Sequence, residues 1–459
     1  MSKSESRKKK ICMFVLNSCA NDTRVLKEAE TLGRAGYDVN IIAIVSKDVP
    51  ECEDKREHFA IYRVQPRSII YYIACIYNGL IKNVYSLVKS VLELVSKLLK
   101  KIHLGSLLDW FYSESKQERQ KNARNPGKLQ SSIPHCLLDI LMKFHKMSIY
   151  ASYWMKAEKL ASSFQADVYH AHDLNTLFPA YLAARKTGAK MVYDAHELYT
   201  DRNTLLKKTA FYNFAIKRSE AFLIKRADAV ITVNESIANE LSNLYRVSRP
   251  HVVMNCPNYR TIARNNILRE HFGINGGQQI ILYLGSITFN RGLEESIIAM
   301  QTVPGAVLAI MGYGNPDYIS SLKEKAVALG IEEKVRFVPP VLPHEVVQYA
   351  ASADIGLVPI QNACKSYYYC SPNKLFESMV AGLPVAASDF PELRRVIEHT
   401  NCGLLFDSSN PDDIANVLNK MISDDNLVEK MRRGAVHNAH HYSWEEESKK
   451  LLSIYSTFF

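Results

Sequence analysis

The run Ser371-Pro372-Asn373-Lys374-Leu375-Phe376-Glu377, closed by Gly382 and followed at once by the apolar Leu383-Pro384-Val385, has the composition of a helix start built to hold an anion. Ser371 suits the N-cap and Pro372 the first helical position, where a missing N–H costs nothing. The amides of Asn373 and Lys374 then have no partner inside the helix. Lys374 stands at the wrong end of the helix dipole. A bound phosphate resolves that misfit, because amides, dipole and ammonium converge on it. On this reading Ser371, Asn373, Lys374 and Leu375 surround the anion, and Glu377, one turn on, reaches hydroxyls of whatever carries it. A capped surface helix with a Lys374–Glu377 pair accounts for the same residues equally well.

Four further constellations carry chemistry-bearing side chains. Asn21-Asp22-Thr23-Arg24 follows the first apolar run. Either Asp22 or Thr23 caps a helix there, and Arg24 meets a ligand or simply pairs with Glu28 at i,i+4. His170-Ala171-His172-Asp173 and Asp194-Ala195-His196-Glu197 each put imidazole beside carboxylate after an apolar strand. Such groups donate to a sugar hydroxyl or stabilise developing charge. A metal is also open to them, although neither motif completes a site and no third cluster lies nearby in the chain. Gly285-Ser286-Ile287-Thr288-Phe289-Asn290-Arg291-Gly292 offers glycines for close backbone approach and an arginine able to grip a diphosphate. Gly312-Tyr313-Gly314 makes a tight loop against which a nucleoside can lie. With the Ser371 segment these form a nucleotide-diphosphate cradle. The first turn holds no G-x-G-x-x-G, which disfavours nicotinamide chemistry.

The elements that position these groups alternate regularly. Strands are predicted at Ile11–Leu16, Val39–Val45, Asp167–His170, Lys190–Asp194, Ala229–Val233 and His251–Met254, with helical patterns between them, the first over Thr23–Ala35. The rhythm restarts at Gln279–Leu284 and continues through Ala306–Met311, Val335–Val338, Ile355–Val358, Val385–Ala387 and Gly403–Phe406. Apolar strands separated by helices mean parallel sheets covered on both faces. Two such runs predict an α/β protein of two facing, doubly wound, Rossmann-like domains. Their expected bounds are 1–255, with an insertion near 66–150, and 256–440, followed by a C-terminal helix over 441–459. Ligands of such sheets sit beyond the carboxyl ends of the strands, so the cleft between the domains is the expected site.

The 459 residues exceed what one core usually serves, and 47% hydrophobic with 23% charged content is ordinary for a folded chain. Nine scattered cysteines without a C-x-x-C pair point to a reducing compartment rather than a disulfide framework or structural zinc. The apolar run after the basic N-terminus is too short for a signal peptide or a span, which predicts a cytoplasmic protein. Of the net charge of +10, residues 61–150 contribute fourteen lysines and arginines against five acidic residues. The rest of the chain is near neutral, which argues against nucleic-acid binding. Within the insertion, Lys82, Lys89, Lys97, Lys100 and Lys101 recur along one side of an otherwise aliphatic and aromatic pattern. A basic amphipathic stretch over 69–101 suits an anionic membrane surface, and packing as extra helices on its own domain is the alternative. Residues 116–130 read as a polar loop.

Taken together, these motifs resemble the family 4 retaining glycosyltransferases of the GT-B fold, over nearly all of the chain except 66–150. The resemblance rests on Asp22-Thr23-Arg24-Val25-Leu26-Lys27-Glu28-Ala29, on Val168 through Asp173, on Tyr193 through Leu198, on Leu284 through Leu293 and on Met311-Gly312-Tyr313-Gly314. Its most specific part is Pro372-Asn373-Lys374-Leu375-Phe376-Glu377 with Ala381-Gly382-Leu383-Pro384-Val385, and Tyr442-Ser443-Trp444-Glu445 is similar to the family's helix that crosses back to the first domain. The resemblance implies that Glu377 is the second glutamate of an E-x7-E motif and holds the ribose hydroxyls. It implies that His196 touches the donor sugar and that Arg291, where the family usually has lysine, lies on the diphosphate. Tyr369 stands where the first motif glutamate would fall, and Ser286 replaces an arginine often found after the loop glycine.

What the resemblance implies chemically is transfer from a nucleotide-diphosphate sugar with retained anomeric configuration and with no cofactor or metal required. His196, Glu377, Lys374 and Arg291 would carry the chemistry. Gly285, Ser286, Gly312, Gly314, Ser371, Asn373 and Leu375 would line the donor, and Asp22, Arg24, His172, Asp173, Glu197 and Tyr369 would face sugar or acceptor. The expected partners are the nucleotide sugar, a lipid-linked or oligosaccharide acceptor and the inner membrane face. A sugar-nucleotide epimerase of the same fold and a donor-binding inactive subunit are the two alternatives.

Overall fold

Short apolar runs become strands wherever helices can cover both of their faces. The computed structural model describes residues 7–46, 49–50, 52–67, 135–203, 210–274 and 277–459. The expectations for 69–101 and 116–130 lie outside the described residues. The chain divides into two compact units, Met1–Arg63 with Leu160–Phe459, and Val64–Lys159.

The larger unit holds two sheets. Strands β1 (Lys10–Phe14), β2 (Asp38–Ile44), β3 (Glu53–Lys55), β4 (Phe59–Val64), β5 (Val168–His172), β6 (Lys190–Ala195), β7 (Ala229–Thr232) and β8 (His251–Val252) form the first, in the order β3-β4-β2-β1-β5-β6-β7-β8. β1 runs parallel to both neighbours, with Cys12 opposite Asn40 and Tyr169. Strands β9 (Gln279–Leu284), β10 (Ala306–Met311), β11 (Val335–Val338), β12 (Ile355–Val358), β13 (Val385–Ser388) and β14 (Gly403–Phe406) form the second, in the order β11-β10-β9-β12-β13-β14. All of its pairs are parallel.

Both sheets reverse their strand order once, between β1 and β5 in the first and between β9 and β12 in the second. Such switch points open a crevice past the strand ends, because the two connecting helices leave toward opposite faces. In the second sheet Leu282 and Leu284 pack into one apolar layer while Ile281 and Tyr283 pack into the other. Successive side chains of a strand point to opposite faces, so this is the pattern of a sheet sandwiched between helices.

One correction falls on the first sheet. The sequence predicted parallel strands throughout, but β3 and β4 pair antiparallel, with Glu53 opposite Tyr62. β3 is Glu-Asp-Lys and has no apolar signal, and β4 alternates buried with half-buried residues, as a strand near a sheet edge does. Elsewhere the boundaries move by a residue or two. Helix Asn373–Val380 begins one residue later than expected, with Pro372 at the cap position and no side-chain cap bond, so Ser371 is not the N-cap.

Helix Trp444–Ser456 packs on the first sheet. Trp444, Leu451, Ile454 and Tyr455 share a buried cluster with Ile11, Met13, Val25 and Leu32. The Trp444 indole N–H donates to Thr31 Oγ1 at 2.9 Å, and Glu447 Oε2 accepts from the Met254 amide at 2.8 Å. In the smaller unit, Ser152 Oγ accepts from the Arg67 amide and Lys156 Nζ donates to the Gln65 carbonyl. Among the described residues no helix is long and apolar enough to cross a membrane.

Candidate active site

The loops after β9 and β10 and the start of helix Asn373–Val380 come together at the second switch point. Lys374 is 8% exposed, and its Nζ has no hydrogen-bond partner among the described residues. The ammonium lies 3.5 Å from the centre of the Tyr283 ring, and a Cβ built on Gly285 would come 3.8 Å from it. Arg291 lies over a second tyrosine, its guanidinium 4.4 Å from the Tyr367 ring, and its buried Nε also lacks a partner among the described residues. Among the described residues neither the buried Lys374 nor the half-buried Arg291 has a carboxylate at ion-pair distance, and each cation rests on an aromatic face. Burial, and then the Arg291 charge, hold the Lys374 ammonium well below its ordinary pKa, against the pull of Glu377. Glu377 is half-buried, and burial raises its carboxyl pKa against the opposing charges of Lys27 and Lys374. Lys27 comes from the first sheet's helix Thr23–Arg34. Its Nζ donates to Asn255 Oδ1 at 3.0 Å and to the Cys256 carbonyl. Burial lowers Lys27 to about 8.

The two glycine loops are interlocked. Gly312 has φ +155°, and a Cβ there would sit 1.8 Å from the Gly285 carbonyl oxygen. Gly314 lies against Ile287 O, where a Cβ would come to 2.3 Å. Ser286 offers its carbonyl to the Tyr283 hydroxyl at 2.6 Å, which ties the loop to the ring that carries Lys374. Gly312→Ala must therefore displace backbone, so we expect a loss of more than about 1 kcal/mol of stability together with the loop's ligand-binding shape. Thermal denaturation and donor titration of the variant check both.

The first switch point assembles a charged network from three separate parts of the chain. Asp194 accepts from Arg24 Nε and Nη2 at 2.7 and 2.8 Å, and its Oδ2 lies 3.1 Å from His196 Nε2. Arg24 also meets Glu28 Oε1 at 3.1 Å and donates to the Val253 carbonyl. Asp173, at φ +62°, accepts from the His196 amide at 3.1 Å and brings Oδ2 to 3.7 Å from its Nδ1. His172 Nδ1 stands 3.1 Å from His196 Nε2, and Tyr455 on the last helix bonds His170 Nδ1 at 2.7 Å. His196 is pushed up to about 10, because Asp173 and then Asp194 outweigh its burial. It is an imidazolium at neutral pH. Burial holds His170 and His172 neutral, and burial together with Asp194 raises Glu28 to about 8, so it keeps its proton there.

Several expectations need correction. Arg24 is almost fully buried and its bonds go to Asp194, Glu28 and Val253, so it does not face a ligand. Asp22 caps the first helix, with Oδ1 accepting from the Val25 amide and Oδ2 from Asn17. Leu375 is a core residue whose amide donates to the Pro372 carbonyl, so it offers the donor neither side chain nor free N–H. Tyr369 presents its ring to Tyr368 and Lys365, while its carbonyl accepts from Asn234 across the lobes. Glu197 pairs with Arg202 at 3.4 Å. Ser371 and Asn373 flank the helix start, half-buried. The third cluster that the sequence reading found lacking is supplied by Glu28. Ligand-type atoms of Glu28, His170, His172 and Asp194 lie within 4.8 Å of one another, but the Arg24 guanidinium already occupies both Asp194 and Glu28. Lys27 and the platforms Tyr283 and Tyr367 carried no local signal as site residues, whereas Glu28 was expected only as the i,i+4 partner of Arg24 and Asp194 only as the carboxylate beside His196.

Residues 264–437 match the family profile "Glycosyl transferases group 1", and residues 109–257 match "Glycosyltransferase Family 4". D-inositol 3-phosphate glycosyltransferases of Jonesia denitrificans and Xylanimonas cellulosilytica are both 24% identical, over 307 and 316 residues. These stretches cover 63% and 66% of this chain and 71% and 74% of the relatives. Among solved structures, sucrose-phosphate synthase from Thermosynechococcus elongatus superposes with a TM-score of 0.71 at 14% identity, over 98% of this chain and 99% of that one. Anabaena Alr3699/HepE in complex with UDP-glucose does so with a TM-score of 0.63 at 14% identity, over 98% and 99%. With one profile falling on strands β5 to β8 and the other on β9 to β14, the chain belongs to the group 1, family 4 glycosyltransferases and is a glycosyltransferase of the two-sheet GT-B fold.

Proposed function

We propose that the protein moves a sugar from a nucleotide-diphosphate donor to a saccharide acceptor with retained anomeric configuration. The observation that carries this reading is the pair of cations, buried Lys374 and half-buried Arg291, each set on an aromatic ring with no carboxylate at ion-pair distance among the described residues. Buried charge without a partner is costly, and a doubly charged pyrophosphate offsets that cost when it arrives. The first amides of helix Asn373–Val380 add to the same field. HepE, of the same fold, is known in complex with UDP and with UDP-glucose, which supports a nucleotide sugar as donor.

In this mechanism Lys374, Arg291 and the helix amides stabilise the departing diphosphate while an oxocarbenium-like sugar forms. Glu377 holds the ribose hydroxyls, and the His196 imidazolium donates to the donor sugar. No enzyme nucleophile is needed, because a leaving phosphate oxygen deprotonates the acceptor on the same face of the sugar, and no metal is required. The acceptor is lipid-linked, at the inner face of the membrane, in synthesis of a cell-surface polysaccharide or glycolipid, and the basic stretch over 69–101 helps to bring the enzyme there. A second reading, a donor-binding inactive subunit, is favoured by Tyr369 alone, since its ring stands where the motif's first carboxylate would.

The test is turnover of UDP-, GDP- and dTDP-sugars with a membrane extract as acceptor. Transfer with retention is expected, and Glu377→Gln should weaken donor binding roughly ten- to a hundredfold through lost hydrogen bonds to a charged group. Epimerised free sugar nucleotide would make the protein an epimerase, and binding without turnover would make it the inactive subunit.

A further inference from the structure

We infer that the face formed by helices Leu174–Thr187 and Ala210–Ile224 docks on an anionic lipid bilayer. Phe214 is 62% exposed and Phe222 46%, and Leu182 is exposed beside them on the neighbouring helix. Phe214, Arg218 and Phe222 recur at intervals of four and therefore line one stripe. The Arg226 guanidinium lies 3.5 Å from the centre of the Phe222 ring and that of Arg218 5.7 Å from Phe214. Tyr181 meets Phe222 edge-on at 5.9 Å, which joins the two helices into one surface. Arg185 is exposed on it as well.

The charge on this surface has one sign. Helix Leu174–Thr187 contains no acidic residue, and the sole one over 210–226 is Glu220, which is buried and bonded to the hydroxyls of Tyr193 and Tyr245. Exposed aromatic rings among arginines, with no carboxylate between them, match the boundary of an anionic membrane. There the rings enter the headgroup layer and the guanidinium groups meet lipid phosphates. Single-stranded nucleic acid would need free ring faces for stacking, and arginine already covers that of Phe222. The first of these helices starts immediately after Asp173, which binds the His196 amide, so its first turn lies beside the site. Delivery of a lipid-linked acceptor there rests on the proposed function, whereas membrane binding itself does not.

The experiment is co-sedimentation of the full chain with vesicles of phosphatidylglycerol or of phosphatidylcholine, for the wild type and for Phe214→Ser/Phe222→Ser and Arg218→Glu/Arg226→Glu. Binding to phosphatidylglycerol at least about tenfold above phosphatidylcholine is expected, and both double variants should lose most of it with unchanged melting temperature and donor turnover. Variants that sediment like the wild type overturn the inference and leave any attachment to other segments, 69–101 included. A wild type that ignores phosphatidylglycerol, or that single-stranded RNA strips from it through these same residues, also overturns it. Loss of sedimentation in the variants of a chain that transfers no sugar upholds the docking face and sinks the transferase mechanism alone.

Discussion

Lys374→Met is expected to lower sugar transfer by about 10²- to 10³-fold, the usual effect of removing one preorganised charge from a transition state. The same change should stabilise the unliganded protein. The amine is buried without a hydrogen-bond partner among the described residues, and an apolar side chain of similar shape removes that penalty, on the order of 1–3 kcal/mol. Opposite signs for activity and stability separate a site lysine from a structural one. A steady-state assay and a urea melt measure the two effects, and an unchanged rate would end the role proposed for this residue.

The proton on Lys374 gives that prediction a pH dependence. Its folded pKa is depressed by burial and by Arg291, so between that value and the unfolded value of about 10.4 the unfolded chain binds more protons. The contribution of Lys374 to stability therefore rises with pH across that window and is lost as pH falls through the folded pKa. Donor binding runs the other way. A diphosphate draws the proton back onto the amine, so affinity should weaken as pH rises past the folded pKa. Calorimetry in two buffers of different ionisation enthalpy should show net proton uptake on binding.

Asp194→Asn should cost about 3–5 kcal/mol, because it leaves the buried Arg24 guanidinium without its bidentate partner. It should also bring His196 down from about 10 toward the ordinary imidazole range near 6.5, with Asp173 left to hold it partway. Chemical denaturation gives the first quantity and the His196 ring resonances, followed against pH, the second. A His196 that titrates as before would show that Asp194 does not hold its charge. Transfer should fall as well, since an imidazolium that loses its proton near neutrality no longer offers a fixed positive charge.

Much of the architecture is local in origin. Apolar runs such as Gln279–Leu284 and Ala306–Met311 coincide with β9 and β10 end to end, because a strand covered on both faces is apolar throughout. The turn glycines and the helix at Asn373 could likewise be read from composition, since turn and cap chemistry act over three or four residues. That β3 and β4 pair antiparallel could not be read, as a three-residue polar strand takes its partner from the surrounding sheet.

Residue order alone places Lys374, Arg291, His196 and Glu377 at strand ends and helix starts, and that much names an anion-binding chemistry, while the sugar comes from what the family resemblance implies. Their charge states come from contacts between residues far apart in the chain. Arg24 and Asp194 are separated by 170 positions and Lys27 and Glu377 stand on helices that cover different sheets, so no window of sequence contains either pair. Only folding removes the water between such groups. In that low dielectric one arginine turns Asp194 into the hub of a network, and two tyrosine faces hold cations that would otherwise seek carboxylates.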